Sequence, residues 1–391
     1  MVDSFKFHLP TRVHFGEKII ETAGKKSRRF GSRALMVSGA MGKNSGALQK
    51  VTGSFEKAGI ETVVFDEVEA QPRVKTIESG ARVARDTKCE MVVGIGGECP
   101  MDAAKVMALL AKDTSPLEYY FGAHEIKNPP LPIIAVPLTA GSGSEVTPFA
   151  AITTTNDFLD IQAVVSPFIY PNAAFVDPQF TLSFPATVTI NNGIDAFSHC
   201  IEGYLAKSSQ PLTDSLALEA IRIIKNYLPT VLEDPHNLKY RAKMSYASLL
   251  GGIVNAQTGI GLVHRMGWHL TLNSGAAHGA ANGLLLPWAC EFVLNRAHKK
   301  MAGLATALND NLEGPGEEES VEGVVESIKE FIFQTGSVPG LNKEELTDEK
   351  IKVISKRTLK NKAAIKENWG DINLKNIESI YHKALQFQIS I

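Results

Sequence analysis

Asp195 and His199 stand four residues apart in the segment Asn-Gly-Ile-Asp-Ala-Phe-Ser-His-Cys-Ile-Glu-Gly-Tyr, residues 192–204. On a helix this spacing puts both side chains on one face, with β-carbons about 5–6 Å apart, close enough to reach one metal ion. His264 and His278 follow, from a second helix and the turn after it. Three imidazole nitrogens and one carboxylate oxygen suit a divalent transition metal, with iron and zinc the leading candidates. An Asp-x-x-x-His pair also occurs as a surface pair or around a satisfied core histidine. The low-charge surroundings weigh against both alternatives, because a buried carboxylate beside a buried imidazole is unfavourable unless paired or metal-bound.

These residues need a large scaffold, and 391 residues are enough for two domains. A hydrophobic content of 44% with 21% charged residues fits a globular enzyme. The net charge of −2 offers no electrostatic case for a nucleic acid or an anionic membrane as partner. The four cysteines, Cys89, Cys99, Cys200 and Cys290, form no Cys-x-x-Cys, which suits free thiols in a reducing compartment. The start of the chain carries Asp3 and no long apolar core, so a secretion signal is not expected, and no apolar run is long enough for a membrane helix. The cytoplasm is the expected location.

The first half reads as alternating strands and helices. Phe5–His8 and Arg12–Phe15 read as a short strand pair, Glu17–Phe30 as a helix, and Ala34–Ser38 as a buried strand closed by Gly39. Strands at 61–66, 90–95 and 131–137 then alternate with helices at 44–58 and 73–87, the pattern of parallel β/α units. Two glycine-rich turns fall at strand ends: Gly94–Asp102, which runs into a helix, and Thr139–Glu145, rich in hydroxyls. A helix N-terminus preceded by glycines can hold a phosphate through its N–H groups and dipole, although either stretch also fits a plain tight turn. Neither contains Gly-x-Gly-x-x-Gly. Beyond Phe184 strand patterns largely vanish and helical periodicity takes over, with Asn191-Asn192-Gly193 read as a turn near the change and 309–320 as a loop. The expected architecture is an α/β nucleotide-binding domain with a parallel sheet over 1–184, then an all-α metal-binding domain over 185–391. The cleft between them is the expected place for chemistry.

With the turn at Gly96–Asp102, the run Pro137–Thr147, the segment Gly193–Glu202 and the glycine–histidine stretch 259–287 in this order, the chain resembles the iron-containing (group III) alcohol dehydrogenases over nearly its whole length. Those enzymes have a dehydroquinate-synthase-like fold. The resemblance implies that Asp195, His199, His264 and His278 bind Fe²⁺ or Zn²⁺, and that Gly96, Gly97 and Asp102 surround the cofactor with Thr139 and Ser142 nearby. It implies reversible hydride transfer between a nicotinamide cofactor and a small alcohol or aldehyde, the protein acting mainly as an aldehyde reductase. It also implies a homodimer whose N-terminal strands cross to the partner. Members selective for NAD often carry Asp just after the first strand. Gly39 stands there with Lys43 nearby, which permits NADP and favours it over NAD, although a glycine closing a strand also serves simply as a turn.

Several positions depart from the family pattern. The usual Gly-Gly-Gly-Ser is Gly96-Gly97-Glu98-Cys99, so a carboxylate stands at the pyrophosphate turn and a thiol replaces a hydroxyl donor. At ~5 Å and an effective dielectric near 20, such a like-charge pair costs on the order of 3 kcal/mol before screening or rotation away. The family's second histidine, four residues after the third metal ligand, is Trp268, read as a wall of the substrate pocket or as core packing. His269 follows, one helical step of about 100° away, and is a candidate proton carrier. Two other readings stay open. A non-catalytic or altered-cofactor metal-binding relative is motivated by Glu98 and Cys99. A lyase of the dehydroquinate synthase type is disfavoured because 259–287 offers only Arg265 as a basic residue beside its histidines.

Overall fold

The computed structural model describes residues 4–122, 126, 128–154, 160–259, 261–294, 296–309, 317–337, 341, 346–360, 362–368 and 370–389. Two compact units emerge: His8–Ser183, and Phe184–Ile391 together with the residues preceding His8.

The first unit contains β1 (Arg12–Phe15), α1 (Ala23–Ser27), β2 (Arg33–Gly39), α2 (Ala40–Asn44), α3 (Ala47–Lys57), β3 (Glu61–Val68), α4 (Val74–Asp86), β4 (Met91–Gly96), α5 (Glu98–Leu110), β5 (Ile133–Pro137), β6 (Phe149–Thr154), β7 (Asp160–Val165) and β8 (Ala173–Val176). Six strands form one sheet in the order β1-β8-β5-β4-β2-β3, every pair parallel. β4, β5 and β8 are buried throughout, as expected of strands covered on both faces. Leu35, Val37, Val92 and Ile133 pack there with Ala103, Val106 and Met107 of α5. β6 and β7 form a separate antiparallel pair.

Two N-terminal expectations are corrected. β1 does not pair with Phe5–His8; it lies parallel to β8, with Arg12 opposite Ala173. Alternation identifies a strand but carries no information about a partner so distant in sequence. The expected helix over Glu17–Phe30 is broken into a 3₁₀ turn at Ile19–Thr22, the short α1 and a second 3₁₀ turn at Arg28–Phe30. Lys18 sits at φ 58° before the first turn, in the left-handed region that a continuing helix excludes.

The second unit is helical: α6 (Ala186–Leu205), α7 (Pro211–Glu233), α8 (Leu238–Thr258), α9 (Leu262–Ser274), α10 (His278–Val293), α11 (His298–Leu308), α12 (Glu317–Gln334), α13 (Asp348–Lys360), α14 (Lys362–Lys366) and α15 (Leu374–Ile389). Asn191-Asn192-Gly193 is not a turn but the second and third turns of α6. The Asn192 amide donates back to the Val188 carbonyl at 2.7 Å, and Gly193 lets Leu228 of α7 approach closely, so packing overrides turn propensity. Within the expected loop 309–320, residues 310–316 lie outside the described residues and 317–320 begin α12. Among the described residues no helix is long and apolar enough to cross a membrane.

Candidate metal centre and nucleotide turns

α6 is a 20-residue helix carrying Asp195 and His199 on one stripe, both buried. α9 contributes His264, its third residue. α9 ends on Gly275, in the left-handed conformation at φ 71°, and the short link that follows makes His278 the first residue of α10. The four side chains converge. Asp195 Oδ1 lies 3.3 Å from His264 Nε2 and 3.7 Å from His278 Nε2, while Asp195 Oδ2 lies 3.8 Å from His199 Nδ1. The rings of His199 and His264 are 3.8 Å apart, those of His264 and His278 5.5 Å. Ligand atoms of Asp195, His199 and His264 all fall within 4.8 Å of one another.

The electrostatics fit a cation. Burial opposes ionisation of Asp195, yet the surrounding histidines, His199 foremost, hold its carboxyl below the usual range. Burial and the neighbouring His264 push His199 down to about 3. Burial likewise pushes His278 down to about 4. His264 is the exception: burial would lower it, but the Glu202 and Asp195 carboxylates on either side raise it to about 10. His199 Nδ1 and His264 Nε2 are buried with no hydrogen-bond partner, each close to the Asp195 carboxylate. Buried polar atoms are almost always satisfied. A divalent ion would satisfy these lone pairs and the carboxylate together, displacing the extra proton from His264. The donor set therefore fits iron or zinc.

Two residues that the sequence reading missed complete this surround. Asn282 donates its amide to Asp195 Oδ1 at 3.0 Å and lies 3.1 Å from His278 Nε2. Glu202 contacts His264 Nδ1. Helical spacing could have flagged both, since Glu202 is seven residues from Asp195 and Asn282 four from His278. The Trp268 ring stacks toward His278 at 6.4 Å with Arg265 over it at 5.2 Å. Trp268 thus lies beside the candidate ligand His278. His269 is buried one helical step further round α9.

In the first unit, the carboxyl ends of β2, β4 and β5 carry the expected nucleotide residues. β3 and β4 flank β2, so the chain reverses its direction of winding here, the crevice where open parallel sheets bind ligands. Gly39 closes β2, Gly96 closes β4 opposite Pro137 of β5, and Gly97 is the N-cap of the 13-residue α5. A Cβ at Gly97 would come within 3.3 Å of Thr139 Oγ1, so the two glycine-rich turns touch. Ser142 Oγ accepts the Ser144 N–H at 3.3 Å, shaping the second turn. Glu98 is the first residue of α5. The Cys99 thiol donates to the Ala70 carbonyl at 2.9 Å, and burial pushes its ionisation far up.

Asp102, expected near the cofactor, is engaged by protein groups at the base of this turn. Its Oδ1 accepts from Lys105 Nζ at 3.1 Å and Ser144 Oγ at 2.5 Å, and its Oδ2 accepts the Ala151 N–H at 2.8 Å. With the residue 3% exposed, the carboxylate is committed to holding α5 against the second turn and β6. Position 39 has a fixed identity for a local reason, since a Cβ there would overlap the Val68 carbonyl across the irregular β2–β3 pairing. Lys43 is ion-paired with Asp66 at 2.8 Å.

Comparison with known proteins agrees with this geometry. Residues 10–178 match the iron-containing alcohol dehydrogenase profile, and residues 189–385 match the C-terminal profile of the same family. The chain belongs to the iron-containing alcohol dehydrogenases. The dehydrogenase is 33% identical over 335 residues to the 1,3-propanediol dehydrogenase of Citrobacter freundii, covering 85% of this chain and 86% of that one. It is 28% identical over 351 residues to the NAD-dependent methanol dehydrogenase of Bacillus methanolicus, covering 90% and 92%. A crystal structure of a 1,3-propanediol oxidoreductase superposes with a TM-score of 0.92 at 30% identity, covering 98% of this chain and 100% of that one. The dehydrogenase is a metal-dependent oxidoreductase whose class of reaction is hydride exchange between a nicotinamide cofactor and an alcohol or aldehyde.

Proposed function

We propose that the dehydrogenase works mainly as a reductase of small aldehydes, with Fe²⁺ or Zn²⁺ held by Asp195, His199, His264 and His278 and with NADP or NAD as hydride carrier. The observation that carries this reading is the convergence of Asp195, His199 and His264 with unsatisfied ring nitrogens beside a buried carboxylate. A divalent metal there supplies Lewis acidity toward a carbonyl or hydroxyl oxygen. One anionic and three neutral ligands leave a net positive charge, which favours that role. Asn282 orients the Asp195 carboxylate. Trp268 walls the substrate side of His278, and His269 is the residue on α9 assigned to proton transfer. Hydride transfer requires the nicotinamide and substrate carbons to come within about 3–3.5 Å, so each part must be held firmly.

For the cofactor, the reading assigns the pyrophosphate to the backbone N–H groups at Gly96, Gly97 and the start of α5, with Glu98 and Cys99 at its rim and Thr139 and Ser142 alongside. Asp102 acts behind this turn as its brace. Gly39 offers no carboxylate against a 2′-phosphate, which supports NADP, whereas the name of the Bacillus methanolicus relative supports NAD. We assign the chain to the cytoplasm as a homodimer, and the 1–184 and 185–391 segments to nucleotide and metal binding.

The test is fluorescence titration of the iron-reconstituted protein with NADPH and NADH, followed by a panel of C2–C6 aldehydes. Tight NADPH binding with aldehyde-dependent oxidation is expected. Preference for NADH by tenfold or more would remove the NADP assignment alone. Binding of neither nucleotide by metal-loaded protein would favour the second reading, a metal-binding relative whose phosphate turn is disabled by Glu98 and Cys99.

A further inference from the structure

Asp195, His199 and Glu202 occupy positions i, i+4 and i+7 of α6, a single stripe. The first two point at the proposed metal; the third reaches the start of α9. Glu202 Oε1 accepts the Val263 N–H at 2.6 Å, and Oε2 accepts the His264 N–H at 3.2 Å while contacting His264 Nδ1. α9 has Gly261 at its N-cap and no side-chain cap of its own, so Val263 and His264 carry two of the N–H groups that a helix start leaves without intrahelical partners. A Cβ at Gly261 would overlap the Glu202 carboxylate, so the chain is bare where the side chain enters. The Glu202 side chain is 10% exposed and that of His264 2%.

We propose that Glu202 is a positioning residue for the metal centre, an inference that rests on the metal-centre reading above. One carboxylate serves both the backbone and the ring of the same ligand. By capping α9 it fixes where His264 begins. By accepting from Nδ1 it fixes the tautomer and turns Nε2 toward Asp195, 3.3 Å away. α6 thereby presents two ligands directly and delivers the third through Glu202. A cap alone would support the fold of α9 without acting on the ring; a positioning role is coupled to His264.

The experiment titrates the full-length apo-protein with Co²⁺ against a chromophoric chelator and records the visible band of the bound ion. It compares the wild type with Glu202→Gln, Glu202→Asp, His264→Ala and the Glu202→Gln/His264→Ala double variant. The wild type is expected to bind Co²⁺. Glu202→Gln keeps an acceptor for Val263 but loses one toward His264, and its affinity is expected to fall by about 10–100-fold with the far-ultraviolet circular dichroism unchanged. Glu202→Asp keeps the charge but is one methylene shorter, and is expected to weaken binding and shift the band. In the His264→Ala background, Glu202→Gln is expected to have less than about a threefold further effect, the mark of two residues acting as one unit. Wild-type affinity and spectrum in both single Glu202 variants would overturn the proposal. So would losses that simply multiply in the double variant, which would leave Glu202 as a helix cap. Should Glu202→Gln fail to fold, Glu202→Asp decides: a weakened, shifted Co²⁺ complex supports the proposal and a wild-type complex overturns it. A wild-type chain that binds no Co²⁺ would remove the metal-centre reading and this inference with it, a result distinct from equal binding by all variants.

Discussion

Replacing Lys105 with methionine isolates what the buried pair behind the glycine-rich turn contributes. Lys105 is fully buried, and its Nζ donates to Asp102 Oδ1 at 3.1 Å, Ser144 Oγ at 2.7 Å, Thr147 Oγ1 at 3.0 Å and the Phe149 carbonyl at 2.7 Å. Methionine fills similar space, so the cavity contribution is small. What remains is electrostatic. Asp102 keeps the Ser144 hydroxyl and the Ala151 N–H but loses its countercharge, and the Phe149 carbonyl loses the ammonium donor. Breaking one side of a buried pair typically costs about 3–5 kcal/mol. Asp102→Asn is expected to cost a similar amount from the other side, leaving an ammonium among neutral acceptors. The double variant is expected to fall short of the sum by about 2 kcal/mol, because the second substitution removes a charge already stranded.

The assay must follow the right unit. Trp268, Trp288 and Trp369 all lie beyond residue 184, so tryptophan fluorescence reports only the helical unit. Hydrogen exchange in urea, read on peptides spanning 98–110 and 144–154, follows the first. With a urea dependence of about 1–3 kcal/mol per molar, a loss of 3 kcal/mol lowers the midpoint by about 1 M or more. A Lys105→Met cost under about 1 kcal/mol, or strict additivity with Asp102→Asn, would refute the argument that this pair braces the turn.

His199→Ala is expected to weaken Co²⁺ binding at least as much as Glu202→Gln does while leaving the sheet unit folded, checked by chelator competition beside circular dichroism. Asp66→Asn should free Lys43 and raise the NADPH-over-NADH affinity ratio by about tenfold, and Lys43→Ala should lower it by a similar factor, read by fluorescence titration. Glu98→Gly should tighten binding of either nucleotide by up to about a hundredfold at low salt, and less at high salt. Glu145 is 2% exposed, and burial pushes its carboxyl up to about 7 from 4.5, a backbone hydrogen bond and then the pull of Lys105 offsetting only part of this. Between those pH values the folded chain keeps a proton that the unfolded chain has lost, so stability falls as pH rises, by on the order of 3 kcal/mol in all. Glu145→Gln should remove that slope: the stability gap between pH 5 and pH 8, measured by urea unfolding of the first unit, should shrink relative to wild type.

Much of this arrangement is legible in the sequence, and the parts that are not share a cause. Parallel strands announce themselves as short apolar runs, because both faces are covered; β4 and β5 read correctly for that reason. Asp195 and His199 are legible because one helix fixes their distance, and His264 and His278 because a family pattern supplies their order. What escapes is whatever depends on distant segments. The β1–β8 pairing, the close fit of Gly193 against Leu228 and the inward turn of Asp102 toward Lys105 are tertiary facts. Glu202 was visible on the stripe of α6, but its role needed the start of α9 beside it.

Two departures from the family pattern, Cys99 and Gly39, have local structural reasons, and a third, Glu98, bears on the proposed pyrophosphate site. Cys99 is absorbed: its thiol donates to Ala70, and burial keeps it protonated, so it ties the first turn of α5 to the segment after β3 and has no charge to set against a phosphate. Gly39 is absorbed as well, since the neighbouring carbonyl of Val68 leaves no room for a side chain. Glu98 stands differently. As the first residue of α5 it sits where the helix dipole favours negative charge, which stabilises the helix and at the same time competes for the field that would hold a pyrophosphate. A carboxylate gains about 0.3–1 kcal/mol from that position, whereas its repulsion of a phosphate held ~5 Å away would be about 3 kcal/mol before screening. With the pyrophosphate at the proposed turn the larger number would fall on the ligand, and Glu98→Gly tests that expectation.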